Sequence, residues 1–419
     1  MDVRAHKAAL ALVFLFLASA CSPKTTSSVF DESALGSSSC SGQSLSTRYV
    51  VQWEDGSFSV ETASDVEHFK KDFLKPNLEN IRKVEYDRLV QFEKHVTPSS
   101  SDVAGVSPAN AASDTWGQTM VGADQVWAQG VYGNNITVGV VDAYVDTSHP
   151  QIAPRIAVNT AEIPNNGIDD DGNGLIDDYY GYNFISHPNA AGDLSPHGTH
   201  VSGIIAADHQ TGPVQGMAPK AKLIPAPFID ADSGGSIGDA ILAMQYVSNR
   251  GAKIINASWG GAPCMASLRN AFEELNSKGI LVVVAAGNKG TDIDYTPEYP
   301  AAFNMANQIT VAAATASDLM ASWSNSGFNL VHLAAPGSQI LSTIPNNATD
   351  YMDGTSMAAP FVTGAAALIW SDRPQATAAQ VKQALLTSVD VNPNHEYKVK
   401  TMGRLNVIKA LIALRNLVP

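Results

Sequence analysis

Residues 280–288 read ILVVVAAGN. A run this apolar has no wet face, so it reads as a strand buried on both sides, the kind found in parallel sheets. Three similar runs flank it: ITVGVVD (136–142), KIINASW (253–259) and QITVAAA (308–314). Helical stretches fall between several of them, SIGDAILAMQYVSNR (236–250) and MASLRNAFEELNSKG (265–279). Strands alternating with helices predict an α/β fold, a parallel sheet with right-handed helical crossovers. Such sheets place their sites at the carboxyl ends of the strands, where Asp142 and Asn288 sit.

The bulk numbers agree with a globular, loop-rich chain. Of 419 residues 45% are hydrophobic, with 32 Gly and 22 Pro. Lys and Arg number 26 against 40 Asp and Glu, a formal charge of −14. That excess argues against a nucleic-acid partner and is compatible with cation binding. Three cysteines, Cys21, Cys40 and Cys264, allow one disulfide and no disulfide framework.

Residues 1–21 read as a targeting segment. Arg4 and Lys7 precede the apolar run LALVFLFLA (10–18), which is too short for an ordinary membrane span. Ala18-Ser19-Ala20-Cys21 resembles a bacterial lipobox, with Cys21 as the lipidated residue; ordinary cleavage after Ala20 is the alternative. The expectation is an extracytoplasmic, envelope-anchored protein, with the outer membrane favoured. Residues 22–45 are rich in Ser, Gly and Thr and read as a flexible tether. Residues 46–97 form a small strand–helix–strand module, and 98–113 a polar linker. About fifty residues is near the lower limit for independent stability, so the module reads as a prosegment of the domain at 114–419. An ordinary accessory domain is the alternative.

Four residues carry candidate chemistry. Ser356 stands in GTSMAAP (354–360), at the head of the apolar helical run MAAPFVTGAAALIW. A helix N-terminus offers free N–H groups and partial positive charge to an oxyanion, so Ser356 is a candidate nucleophile or a simple helix cap. Asp142 ends a buried strand and must be paired or hydrogen-bonded. His197 opens HGTHVSGIIAA (197–207); with His200 it could instead bind metal. Asn288 can donate to an oxyanion or merely shape a turn. Together they are the residue types of acyl transfer: nucleophile Ser356, base His197, orienting acid Asp142 and oxyanion donor Asn288.

VGVVDAYVDTSHP, HGTHVSGIIA, AAGN and GTSMAAP resemble, in order, the four signature blocks of the subtilisin-like serine proteases. GMAPKAKLI, NASWGG, LAAPGSQILST and GRLNVIKAL add weaker likeness, over about residues 114–414. The resemblance implies an αβα sandwich and endopeptidase activity on protein or peptide substrates. It gives Asp142, His197, Asn288 and Ser356 the roles above, and makes Ser258-Trp259-Gly260 the strand that pairs with extended substrate. It also implies an inhibitory prosegment at 46–97 as an intramolecular partner. No catalytic cofactor is expected, and a monomer is. One departure stands out: where the family has Asp-Thr-Gly, this chain has Asp142-Ala143-Tyr144. The rival readings are a catalytically impaired surface binding protein of the same fold and a metal hydrolase built on His197 and His200.

Between Asp142 and His197 lies NNGIDDDGNGLIDDYYGYN (165–183). Asp169, Asp171 and Asn173 alternate and Gly174 follows, the opening of an EF-hand-like calcium loop. The Leu175 carbonyl would join them. Tyr180 stands where the closing Glu belongs, so Asp177 or Asp178 would complete a structural calcium site; a solvated acidic turn is the alternative. Downstream, Lys289 is expected at the rim of the primary pocket, with Asp292 and Asp294 as candidates to attract basic side chains or an ion.

Overall fold

The computed structural model describes residues 24–31, 44–91, 115–185, 195–230 and 234–419. The targeting segment with Cys21, most of the tether with Cys40, and the polar linker lie outside these. The small module contributes β1 (Ser44–Trp53), β2 (Phe58–Thr62) and β3 (Ile81–Val90). The large domain adds β4 (Thr137–Val140), β5 (Lys222–Pro225), the short β6 (Ile229–Asp230) and β7 (Gly234–Ser236), β8 (Ile254–Ala257) and β9 (Leu281–Ala285). β10 (Gln308–Ala314), β11 (Leu333–Pro336), the hairpin β12 (Ile340–Ile344) and β13 (Ala348–Met352), and the edge strands β14 (Asp390–Val391) and β15 (Gly403–Arg404) complete it.

The main sheet runs β14-β15-β11-β10-β9-β8-β4-β5 and is parallel except at β14. Successive side chains of a strand face opposite layers. In β9, Leu281, Val283 and Ala285 enter one core, while Val282 and Val284 enter the other. The first core is closed by helices Pro196–Ala206, Thr355–Asp372, Ala378–Thr387 and Val407–Leu417. The second is closed by helices Ile237–Asn249 and Ala266–Ser277. This is the parallel α/β sheet expected from the apolar runs and the αβα sandwich that the resemblance implies. Helix Thr355–Asp372 is buried from Met357 to Trp370, which is why its sequence lacks a polar face.

In the module, β1 pairs antiparallel with β2 and β3, and a helical stretch over 66–80 crosses between β2 and β3. Tyr49 stacks on Phe69 with ring centroids 3.8 Å apart, a small aromatic core suited to so short a chain. Residues 24–31 differ from the flexible tether expected of them. Phe30, 3% exposed, inserts beside Tyr49, Phe69 and Tyr86, and Lys24 pairs with Glu54. One buried aromatic in a polar stretch is enough to dock it.

The module's sheet continues into the large domain, because β3 pairs with β7 through Leu89–Ser236 and Val90–Gly235. Two carboxylates of β3 sit at helix N-termini of the large domain. Glu85 accepts from the Ser267 N–H (2.6 Å) and from its hydroxyl. Asp87 accepts from the Gly238 N–H (2.8 Å) and from Arg48 (2.6 Å), which also pairs with Asp239. Each anion meets free N–H donors at the positive end of a helix dipole.

Candidate active site

Strands β4, β8 and β9 are neighbours, and the chain leaves their carboxyl ends carrying Asp142, Ser258 and Asn288. Asp142 is fully buried and its Oδ1 lies 2.6 Å from His197 Nδ1; His197 is 2% exposed. The same oxygen accepts from the Ala143 N–H at 2.7 Å. His197 rides in the first turn of its helix, started by Pro196 and by Ser195, whose hydroxyl accepts from the His197 N–H.

Tyr144, in place of the family's glycine, costs the loop nothing in backbone terms. It is not among the positive-φ residues, so no glycine is required there. The glycine that matters is opposite it. A Cβ on Gly198 would meet the Ala143 and Tyr144 carbonyl oxygens at 2.3 and 2.6 Å. The helix bearing His197 therefore seats directly on the loop bearing Asp142.

Ser356 lies in the first turn of helix Thr355–Asp372, and its hydroxyl donates to the Ser258 carbonyl at 3.0 Å. Ser258 returns a bond from its own hydroxyl to the Ser356 carbonyl (2.8 Å), and Asn256 steadies it (2.9 Å). The Asn288 side-chain oxygen accepts from the Thr355 N–H and hydroxyl, each at 2.9 Å. That anchorage fixes the orientation of the amide, with Oδ1 toward Thr355 and Nδ2 as its donor end. Ser258, Trp259 and Gly260 form one wall of a cleft whose other lining includes Gly287 and Ser356. Trp259 is 4% exposed and packs edge-on against Phe228, so its backbone faces the cleft while its ring is core.

His200 takes no part. It is buried, and its Nε2 contacts the carbonyls of Ile340 (3.0 Å) and Asp350 (3.1 Å), so it ties its helix to the β12–β13 hairpin.

The acidic loop is organised differently from its spacing. Glu162, Asp171 and Asp178 converge, with ligand atoms within 4.8 Å of one another. The carboxamides of Asn159 and Asn173 lie against the same carboxylates, Asn159 at 2.9 Å from Asp171 and 2.7 Å from Asp178. Asp169 is outside the cluster, its oxygens accepting from the N–H groups of Gly172, Asn173 and Gly174. Asp177 is outside it too, accepting from those of Asn166 and Gly167. The Leu175 N–H closes the turn on Asn173. Glu162 is the residue the spacing missed; it precedes the motif and is folded back onto it, accepting from the Asp170 and Asp171 N–H groups. Its Oε2 is buried with no hydrogen-bond partner, an orphan that a cation would satisfy. Three converging carboxylates suit a hard divalent cation such as calcium, even with the Nδ2 groups of Asn159 and Asn173 donating to two of them and Arg250 3.1 Å from Asp178.

Asp292 and Asp294 are engaged by their own loop and its neighbours. Asp292 accepts from the Asp294 N–H, and Asp294 from Asn329 and Leu330. Lys289 instead pairs with Glu298 at 2.7 Å. Cys264 is disulfide-bonded; the other two cysteines, Cys21 and Cys40, are outside the described residues.

Comparison with known proteins agrees with this geometry. The chain is 36% identical over 258 residues to the major intracellular serine protease of Bacillus subtilis, covering 61% of this chain and 74% of the relative. It is 33% identical over 303 residues to subtilisin E of the same organism, 71% of each chain. It is 37% identical over 262 residues to subtilisin-like protease 2 of Plasmodium falciparum, of whose length the match spans 19%. Among solved structures, a prenylagaramide maturation protease superposes with a TM-score of 0.56 at 28% identity, over 70% of this chain and 98% of that one. The model of the subtilase family of peptidases matches residues 133–403, and the chain belongs to that family.

Proposed function

We propose that the chain is a serine endopeptidase in which Asp142, His197, Ser356 and Asn288 act together. The observation that carries this reading is the 2.6 Å contact between Asp142 Oδ1 and His197 Nδ1, both buried. Substrate pairs as an extended strand along Ser258-Trp259-Gly260. Ser356 Oγ attacks the scissile carbonyl carbon while its proton passes to His197 Nε2. Asp142 fixes the imidazole tautomer and stabilises the imidazolium. Asn288 Nδ2 and the Ser356 N–H receive the oxyanion. The C–N bond then breaks, His197 protonates the departing amine, and an acyl ester remains on Ser356. Water, deprotonated by His197, releases the acid and restores the enzyme. Ser356→Ala should abolish both peptide hydrolysis and labelling by a fluorophosphonate. A wild type that neither cleaves denatured protein nor takes the label would instead be an impaired binding protein.

The chain is made as a zymogen in this reading. Support comes from β3, which joins β7 of the large domain and ends there at Val90. Subtilases commonly bind structural calcium, and Glu162, Asp171 and Asp178 would hold it here. The targeting segment supports an extracytoplasmic enzyme anchored through Cys21; among the described residues no helix is long and apolar enough to cross a membrane. Cys21→Ser should move the protein from membrane to soluble fraction, and unchanged fractionation would remove the anchor.

A further inference from the structure

Behind one lining residue of the cleft beside Ser356 lies a carboxylate. Gly287, which lines that cleft, has φ 101°, and a Cβ placed on it would come within 2.8 Å of Glu298 Oε2. The Glu298 carboxylate therefore rests on the bare Cα of Gly287, one residue before the oxyanion donor Asn288. Its two oxygens are in different situations. Oε1 meets Lys289 Nζ at 2.7 Å, on a lysine side chain 55% exposed, so that pair faces solvent. Oε2 is buried and has no hydrogen-bond partner. Leaving one oxygen of a carboxylate dry and unmatched is unfavourable unless something else supplies the donor. The residues lining the cleft itself are uncharged, among them Ser258, Trp259, Gly260 and Ala285.

We propose that Glu298 is the specificity-determining residue of this protease, selecting lysine or arginine at the residue whose carbonyl Ser356 attacks. The inference rests on the serine endopeptidase reading above and adds the substrate class. A long cationic side chain enters between the 258–260 wall and Gly287, and its N–H groups reach the unmatched oxygen. An apolar side chain in the same cleft leaves that oxygen unmet. Lys289 sits over the outer oxygen and competes for the same charge, so it tempers the preference without supplying it.

The test uses the matured enzyme and tetrapeptide amide substrates differing only in the residue before the scissile bond: Arg, Lys, Gln, Phe, Leu and Glu. Fluorophosphonate labelling in parallel reports whether the catalytic groups are competent. Wild type should show higher kcat/KM for Arg and Lys than for Phe and Leu. Glu298→Gln should lower the Arg-to-Phe ratio roughly five- to tenfold, the usual loss when a charged hydrogen bond becomes a neutral one. Lys289→Ala should raise the same ratio, which guards against a Glu298 variant that folds poorly. An enzyme that takes the label but prefers Phe or Leu, with a ratio unmoved by either variant, overturns the inference while leaving the endopeptidase reading intact. Absence of both label and hydrolysis overturns both.

Discussion

Thr355 holds the Asn288 side-chain oxygen with two donors, its N–H and its hydroxyl, both at 2.9 Å. The hydroxyl also accepts from the Gly287 N–H at 3.0 Å, so one side chain ties the end of β9 to the head of the Ser356 helix. In the proposed mechanism the oxyanion donor Asn288 is thus aimed by the residue next to the nucleophile Ser356. Asn288→Ala should lower kcat about 10²–10³-fold, the loss known for an oxyanion donor in subtilisin. Thr355→Val keeps the N–H bond and loses both bonds of the hydroxyl, so its kcat should fall less, with KM nearly unmoved. Steady-state kinetics on both variants checks this; equal losses would mean that Thr355 does more than aim Asn288.

Glu85 and Asp87 should set how tightly the module holds the large domain. Added in trans to mature enzyme, a separately prepared peptide of residues 24–91 carrying Glu85→Gln should inhibit more weakly than the unaltered peptide. Removing a charged cap costs about 1 kcal/mol or more, roughly five- to tenfold in the inhibition constant. Asp87→Asn should cost more, because Asp87 is fully buried and also pairs with Arg48. Inhibition constants that do not change would show that β3–β7 pairing alone carries the association.

Calcium should bind at Glu162, Asp171 and Asp178. A ligand held only by the folded state at about 100 times its Kd adds roughly 2.7 kcal/mol. Chelator should therefore lower the melting temperature of the inactive Ser356→Ala protein. Glu162→Gln should remove most of the heat of calcium binding in calorimetry, while Asp169→Ala should leave a measurable site with a looser loop. Calcium heat unaffected by Glu162→Gln would reject this ligand set.

Acid should weaken the C-terminal edge of the sheet through Asp318. Burial pushes its carboxyl up, but the hydrogen bond from His395 and the charge of Arg404 together outweigh burial and hold it down at about 2, against an ordinary 3.8. His395 Nε2 lies 3.1 Å and Arg404 Nε 2.9 Å from the same oxygen. A carboxyl depressed on folding stabilises above its unfolded value, and the contribution fades as pH falls from near 4 through about 2. On the Ser356→Ala background, Asp318→Asn should melt lower than its parent at pH 6, and the gap should close toward pH 2. A gap constant with pH would mean that packing, not charge, is lost.

The sheet was legible because strands buried on both faces leave continuous apolar runs, as Leu281–Ala285 does. Asp142, Asn288 and Ser356 were legible because they end or begin such runs. The acidic cluster was only half legible. Asp169 and Asp177 have the spacing of ligands, yet loop N–H groups occupy their oxygens, and Glu162 reaches the site through a turn that no linear spacing records. Glu298 was hidden for a similar reason. Asp292 and Asp294 carry more obvious charge, but only the fold reveals which carboxylate backs onto Gly287. Phe30 was lost in a polar stretch whose average composition outweighed its one aromatic ring.

The carboxylate behind Gly287 also bears on the enzyme's own birth. β3 delivers the chain to the large domain at Val90, and from there to Asp114 the sequence holds one lysine, Lys94, and no arginine. An enzyme that selects a cation would cut itself after Lys94, ahead of the polar stretch at 98–113, and the mature chain would begin at His95. In the proposed zymogen its first substrate would then be a bond a few residues beyond the end of β3, and replacing Lys94 alone would leave an intact triad locked in the precursor.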